Sequence, residues 1–206
     1  MVHHLLYTPT ERQRAFHLCP AKYPLYGGAA GGGKSHGLRW HLFMACLASP
    51  GVSALLLCRH PNDAVRIHKR ALLDAAGDAV WQDTGPIGVL GFPNGSTLEL
   101  NHWSDAVADA PICLTQYSII GLDELVDFTE SQFITIQSLA KQPDGRVLST
   151  TRPSIDPKAA WVRRRWIDRH DDECEAKNDY VYIHATMRDN PYLVSAGMYD
   201  SLEAFV

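Results

Sequence analysis

The run Gly27-Gly28-Ala29-Ala30-Gly31-Gly32-Gly33, followed at once by Lys34-Ser35, constrains this chain more than any other feature. Residues 22–26 before it are short and β-prone, and the pattern after it turns helical. Gly28, Ala29, Ala30, Gly31, Gly32, Gly33, Lys34 and Ser35 fit G-x-x-x-x-G-K-[ST]. Glycines let a backbone curl until several N–H groups point inward at phosphate oxygens. A helix beginning at the loop turns its positive end to the anion. In that setting Lys34 reaches the β- and γ-phosphates and the Ser35 hydroxyl ligates Mg²⁺. A glycine-rich turn meets the pattern by accident in about one chain in a hundred of this length. His36 falls just inside the first helical turn, where it either lines the nucleotide site or packs or faces solvent.

The remaining periodicity sets the fold class. Leu38, Leu42 and Ala45 share one face of a helix over 34–48, and Ser49-Pro50-Gly51 stops it. Residues 52–58 are continuously apolar, as in a parallel strand buried on both faces. Asn62 is placed to cap a helix reaching about residue 76. Segments 89–92 and 97–101 flank Pro93-Asn94-Gly95, a hairpin signal. A buried strand over 117–122 precedes a helix over about 130–141. A strand at 146–150, a helix at about 158–168, a strand at 180–184 and a last helix from about 195 follow. This alternation predicts an α/β fold: a mostly parallel central sheet flanked by helices, with a β-hairpin insertion. No repeat, low-complexity block or linker divides the chain, so residues 1–206 are expected to form one domain.

Asp123-Glu124 closes the apolar segment Ile119-Ile120-Gly121-Leu122. Ligands of open α/β sheets bind outside the carboxyl ends of the strands. There Asp123 would support Mg²⁺, a cation that prefers oxygen ligands and keeps waters. Glu124 would orient or deprotonate the water that attacks the γ-phosphate. An ordinary acidic helix cap is the other reading, but the pair lies about 90 residues after the phosphate loop. A small-molecule kinase must keep water from the γ-phosphate. A free glutamate therefore points instead to an NTPase that couples hydrolysis to movement.

Composition excludes several classes. The 206 residues are 46% hydrophobic and 20% charged, too apolar for a disordered chain. A net charge of −4 argues against a generic basic nucleic-acid coat. Cys19, Cys46, Cys58, Cys113 and Cys174 contain no C-x-x-C pair and read as reduced, buried thiols, not as a disulfide framework or zinc site. Residues 1–10 carry no apolar signal core, and no apolar run approaches the ~18 residues of a membrane span. There is no H-E-x-x-H pattern, and His3-His4 at the terminus reads as incidental.

Further segments join these motifs: Thr8-Pro9-Thr10-Glu11-Arg12-Gln13, Leu55-Leu56-Leu57-Cys58-Arg59, Phe92-Pro93-Asn94-Gly95-Ser96 and Gly121-Leu122-Asp123-Glu124-Leu125 with Phe128-Thr129-Glu130. Ser149-Thr150-Thr151, the tryptophan- and arginine-rich 161–168 and Asp189-Asn190-Pro191-Tyr192-Leu193 complete the set. Together they resemble the ATPase domain of phage terminase large subunits, the motors that package DNA into procapsids. The resemblance covers nearly the whole chain. It implies a RecA-like P-loop fold, ATP as substrate and Mg²⁺ as cofactor. It also implies double-stranded DNA and further copies in a ring as partners, with a small terminase subunit and a portal, no membrane, and the cytoplasm of an infected bacterial host. By the same resemblance Gln13 reads the adenine edge, and Thr150 and Thr151 sense the γ-phosphate and couple it onward. The family's nuclease domain is not expected within this chain. Two departures stand out: Arg152-Pro153 where the family has Asn-Pro, and Ser138-Leu139-Ala140-Lys141 where it carries a helix-end arginine.

Motors of this class complete the site with an arginine finger, for which Arg59, Arg66 and Arg152 are candidates. Arg163, Arg164, Arg165 and Arg169 either touch DNA phosphates or form the solvated face of a helix that buries Trp161, Val162 and Trp166. The second reading is favoured, because Asp171, Asp172 and Glu173 cancel the field. Tyr7 and Tyr26 either stack on adenine or belong to the core. A helicase, or a nucleotide-gated assembly module without turnover, remains the alternative function.

Overall fold

A computed structural model describes residues 7–84, 87–103, 115–168 and 179–195. An eight-stranded sheet runs in the order β3-β4-β5-β2-β6-β7-β1-β8. Its strands are β1 (Tyr23–Gly28), β2 (Ser53–Cys58), β3 (Val80–Gln82), β4 (Gly88–Gly91), β5 (Thr97–His102), β6 (Ile119–Leu122), β7 (Arg146–Thr151) and β8 (Tyr180–Ala185). From β5 to β8 every pairing is parallel. Only the β3–β4–β5 edge is antiparallel, and its β4–β5 hairpin turns at Pro93-Asn94-Gly95. The mostly parallel α/β architecture therefore agrees with the sequence pattern.

The helices are α1 (Glu11–Leu18), α2 (Lys34–Ala48), α3 (Pro61–Asp63), α4 (Arg70–Ala75), α5 (Glu130–Ser138), α6 (Ala160–Arg163) and α7 (Pro191–Ser195). Successive residues of a strand point to opposite faces. In β2, Ala54, Leu56 and Cys58 join a core with Leu38, Leu42 and Phe43 of α2 and Phe16 of α1. Leu55 and Leu57 join a second core with Phe133 and Ile136 of α5, Trp161 and Trp166. Past Ser53 the strand is apolar at every position, because both of its faces are covered.

Several expected boundaries move. Asn62 lies within α3 and does not cap it. His60 is the N-cap and Pro61, whose missing N–H costs nothing there, opens the first turn. The expected helix to residue 76 is interrupted by a π-helical stretch, Ala64–Lys69. The helix expected over 158–168 divides into a 3₁₀ turn (Pro157–Ala159), α6 and a π-helical stretch (Arg164–Asp168). Helix α5 ends at Ser138, not Lys141, because Ala140 pairs in a parallel bridge with Tyr117. The last described helix starts at Pro191, four positions before the expected one. Helix α1 and strand β3 were not expected from the periodicity. Cys19, Cys46 and Cys58 are buried and free, while Cys113 and Cys174, His3, His4, Arg169, Asp171, Asp172 and Glu173 lie outside the described residues.

Candidate active site

Strand order builds the site. Strand β7 lies between β1, which leads into the glycine loop, and β6, which ends in the acidic pair. Register sets Thr150 beside Tyr26 on one flank, and Ser149 beside Leu122 on the other. The loop, the carboxylates and the expected coupling threonines thus meet at one edge of three parallel strands.

Four carbonyls of the loop are tied by side chains. Lys34 Nζ donates to Ala29 O at 2.8 Å and Asn190 Nδ2 to Gly31 O at 2.6 Å. The Tyr26 hydroxyl donates to Gly32 O at 3.0 Å and Gln13 Nε2 to Gly33 O at 2.9 Å. Carbonyls tied outward leave the amides of the same peptides to face the other way, the arrangement that cradles anions. Gly33, in the left-handed region (φ 72°), is the N-cap of α2, and no side chain caps the helix. Its first N–H groups stay open to an anion. Gly28 (φ 134°) admits no side chain, because a Cβ there would lie 1.8 Å from Ala185 O.

Opposite the loop, Asp123 is 4% exposed. It accepts from His68 Nε2 at 2.9 Å and from the Thr150 hydroxyl at 2.5 Å, and Ser35 also bonds to it. Burial pushes the Asp123 carboxyl up, but these three donors outweigh it and hold the acid below the usual carboxylate range. Glu124 has φ 57° and ψ 66°, and among the described residues it is the one non-glycine with positive φ. Such a backbone is costly and persists where surrounding contacts over-determine it. Here the Glu124 N–H donates to Thr150 Oγ1 at 3.0 Å, and its carboxylate accepts from Arg152 N at 2.9 Å and Nη1 at 3.2 Å. Burial raises the Glu124 pKa and neighbouring Asp123 adds to it, against the pull of Lys34 and Arg152. Burial lowers the Lys34 ammonium, against Glu124 and Asp123. Ser35 and Asp123 present hard oxygen donors side by side, a set that suits Mg²⁺.

Other expected residues fall elsewhere. Thr151 turns away and donates to its neighbour's carbonyl, Arg152 O. Arg59 donates to Trp103 O at 2.6 Å, and Arg66 is exposed beside Asp63. Of the three finger candidates only Arg152 touches the acidic pair, and it also grips Asp127. Gln13 Oε1 accepts from the Thr10 N–H and its Nε2 donates to Gly33 O, which ties the start of α1 to the loop and leaves one N–H and one lone pair of the amide over. Tyr7 stacks on Trp40 and fully buried Tyr26 on Phe16, which places both tyrosines in the packing. His36 accepts from Arg39. Arg163 pairs with Asp168, and Arg164 and Arg165 share Glu130, while Trp161, Val162 and Trp166 are buried beneath them.

Comparison with known proteins places this arrangement. The family model described as phage terminase large subunit matches residues 109–203. The large terminase of a thermophilic bacteriophage superposes with a TM-score of 0.71 at 14% identity, over 89% of this chain and 47% of that one. The same protein in complex with ADP gives a TM-score of 0.69 at 14% identity, over 90% and 47%. The large terminase ATPase domain of a Thermus phage gives 0.65 at 16% identity, over 95% and 88%. The resemblance to phage terminase large subunits holds. At these identities the solved structures establish a shared fold, the terminase ATPase fold, and this chain spans about half of the thermophilic bacteriophage protein, 47%. Among curated proteins no sequence matches the chain. Among the described residues no helix is long and apolar enough to cross a membrane.

Within this terminase-type fold the sequence pattern missed Arg39 and His68, which stand behind Asp123. Arg39 carried a usable signal, a cation one helical turn after Ser35 on the apolar side of α2 that must find acceptors. His68 carried none, because a lone histidine in a helix is unmarked until its strand partner is known.

Proposed function

We propose that this chain binds and hydrolyses ATP at the β1–β6–β7 edge, and that hydrolysis drives double-stranded DNA into a viral procapsid. One observation carries the reading most directly. A single hydroxyl, Thr150 Oγ1, joins Asp123 and the Glu124 N–H at the edge where the glycine loop opens. A fold shared with large terminases, one of them solved in complex with ADP, supports it.

In this account the loop N–H groups and the open start of α2 bind the phosphates, and Lys34 leaves Ala29 O to reach them. Ser35 and Asp123 hold Mg²⁺, which when bound neutralises charge on the β- and γ-phosphates. Glu124 orients water in line with the γ-phosphorus and accepts its proton as the new P–O bond forms. The bond to the β–γ bridging oxygen breaks, releasing ADP and phosphate. Thr150, bonded to both acidic residues, relays the change into β7 and Arg152. The ring of copies, the small terminase subunit, the portal and the host cytoplasm belong to the same proposal.

Calorimetric titration with ATP tests the binding half. Lys34→Ala is expected to weaken ATP binding by more than tenfold, whereas equal affinity in variant and parent would remove the nucleotide site.

A further inference from the structure

Behind the acidic pair lies a buried polar chain that the proposed hydrolysis does not itself use. Arg39 of α2 is 9% exposed and His68 of the π-helical stretch is fully buried. Arg39 Nη1 donates to His68 Nδ1 at 3.3 Å and to the Ile67 carbonyl at 3.1 Å, and its Nη2 donates to His36 Nδ1 at 3.2 Å. A guanidinium has no acceptor, so His68 Nδ1 must accept. The imidazole hydrogen is thereby left on Nε2, which sits 2.9 Å from Asp123 Oδ2. Arg39 sets the tautomer, and the tautomer sets the bond.

Cys58 shares this space, and its sulfur lies with a ring nitrogen of His68 and a carboxylate oxygen of Asp123 inside a 4.8 Å group. The group does not suit a metal of its own. Nε2 is committed as a donor, and a cation there would face the Arg39 guanidinium across one ring.

We propose that His68, oriented by Arg39, is a positioning residue for the cation-binding carboxylate. By anchoring Asp123 Oδ2 it fixes the carboxylate plane, so that Oδ1 meets Thr150 and the group stays beside Ser35. Partners of this kind fix ligand orientation, and their loss costs about 10–100-fold in metal affinity or activity. The inference rests on the proposed role of Ser35 and Asp123 at the magnesium end of the nucleotide site.

The test is calorimetric titration with ATPγS, in excess Mg²⁺ and in EDTA, for the parent, His68→Gln, His68→Asn and His68→Leu. The glutamine amide extends far enough to replace the Nε2 donor, whereas the shorter asparagine amide does not. His68→Leu and His68→Asn are expected to weaken binding about tenfold in Mg²⁺ and less than twofold in EDTA, with His68→Gln within about threefold of the parent in both. Equal losses in Mg²⁺ and EDTA would make the effect purely structural and overturn the proposal. So would parent-like binding by His68→Asn, or a His68→Gln as weak as His68→Asn. Should His68→Leu fail to fold, the Gln–Asn contrast decides alone, because both variants keep a polar side chain in the same place. A parent that binds no ATPγS in either condition would overturn the nucleotide site itself, a result distinct from any difference among variants.

Discussion

Glu124 is where local cost and proposed chemistry coincide. Its left-handed backbone (φ 57°) turns the carboxylate toward Arg152 while its N–H reaches Thr150. Arg152 occupies the place where the resemblance led us to expect asparagine, and it supplies one backbone and one side-chain donor to that carboxylate. Its charge favours the ionised form, whereas burial and Asp123 favour the protonated one. A base must be ionised to accept a proton, so with Glu124 in its proposed role the acid limb of hydrolysis is expected above the ordinary carboxylate range. Removing Arg152 lets Glu124 hold its proton to higher pH. We therefore expect Arg152→Ala to shift the acid limb of the kcat profile toward neutral pH, so that kcat falls most on the acid side of the profile. An unmoved limb, measured by phosphate release against pH, would show that Arg152 does not act through Glu124.

Helix α2 carries the site's precision at the scale of elements. It lies close on the sheet because Gly121 has no side chain, and a Cβ there would meet Leu42 Cδ1 at 2.7 Å and Leu38 Cδ1 at 3.2 Å. Gly121→Val must push the helix, and with it Lys34 and Ser35, away from Asp123. A loss of about 1–3 kcal/mol in stability is expected, with a Tm lowered by roughly 2–10 °C in thermal melts; an unchanged Tm would contradict the close packing. Helices α1 and α2 also meet through His17 and His41, whose Nδ1 atoms lie 3.1 Å apart. Burial pulls His17 down to about 4, with His36 adding, and pulls His41 down to about 3, with His17 adding. Unfolded histidines take up protons below about 6.5 and the folded ones do not, so the unfolded state gains as pH falls through that value. Stability should drop by about 1–3 kcal/mol between pH 7 and 5, and His41→Gln should flatten the slope; a flat Tm in the parent over that range would contradict it. Much of this scale was legible in the sequence, because the phosphate loop, the apolar strands and the hairpin turn are local signals. The start of α1 was legible too, through the Thr10–Gln13 capping box, a signal that the apolar periodicity masked. The relay from Arg39 through His68 to Asp123 was not, because it exists only once α2, the π-helical stretch and β6 are brought together.

At the scale of the whole molecule, β7 lies between the two strands that carry the site, bonded on one side to the phosphate-loop strand and on the other to the acidic strand. Asn190 and Leu193, beyond β8, close on Gly31 from the far edge, so the segment around α7 is tied to the same loop. Thr150 and Gly31 are thereby joined to β7 and to the segment that leaves β8, the connections through which the proposed motor would convert hydrolysis into movement. In the proposed function this edge hydrolyses ATP through Glu124 and does so within an assembly. The most direct test is steady-state ATP hydrolysis by the parent beside Glu124→Gln, across protein concentrations, with and without duplex DNA. At least a hundredfold loss is expected in the variant, with a parent rate that rises more than linearly with protein concentration and increases with DNA. Hydrolysis that is absent, or independent of Glu124 under every condition, would contradict it and leave a nucleotide-binding module in place of a motor.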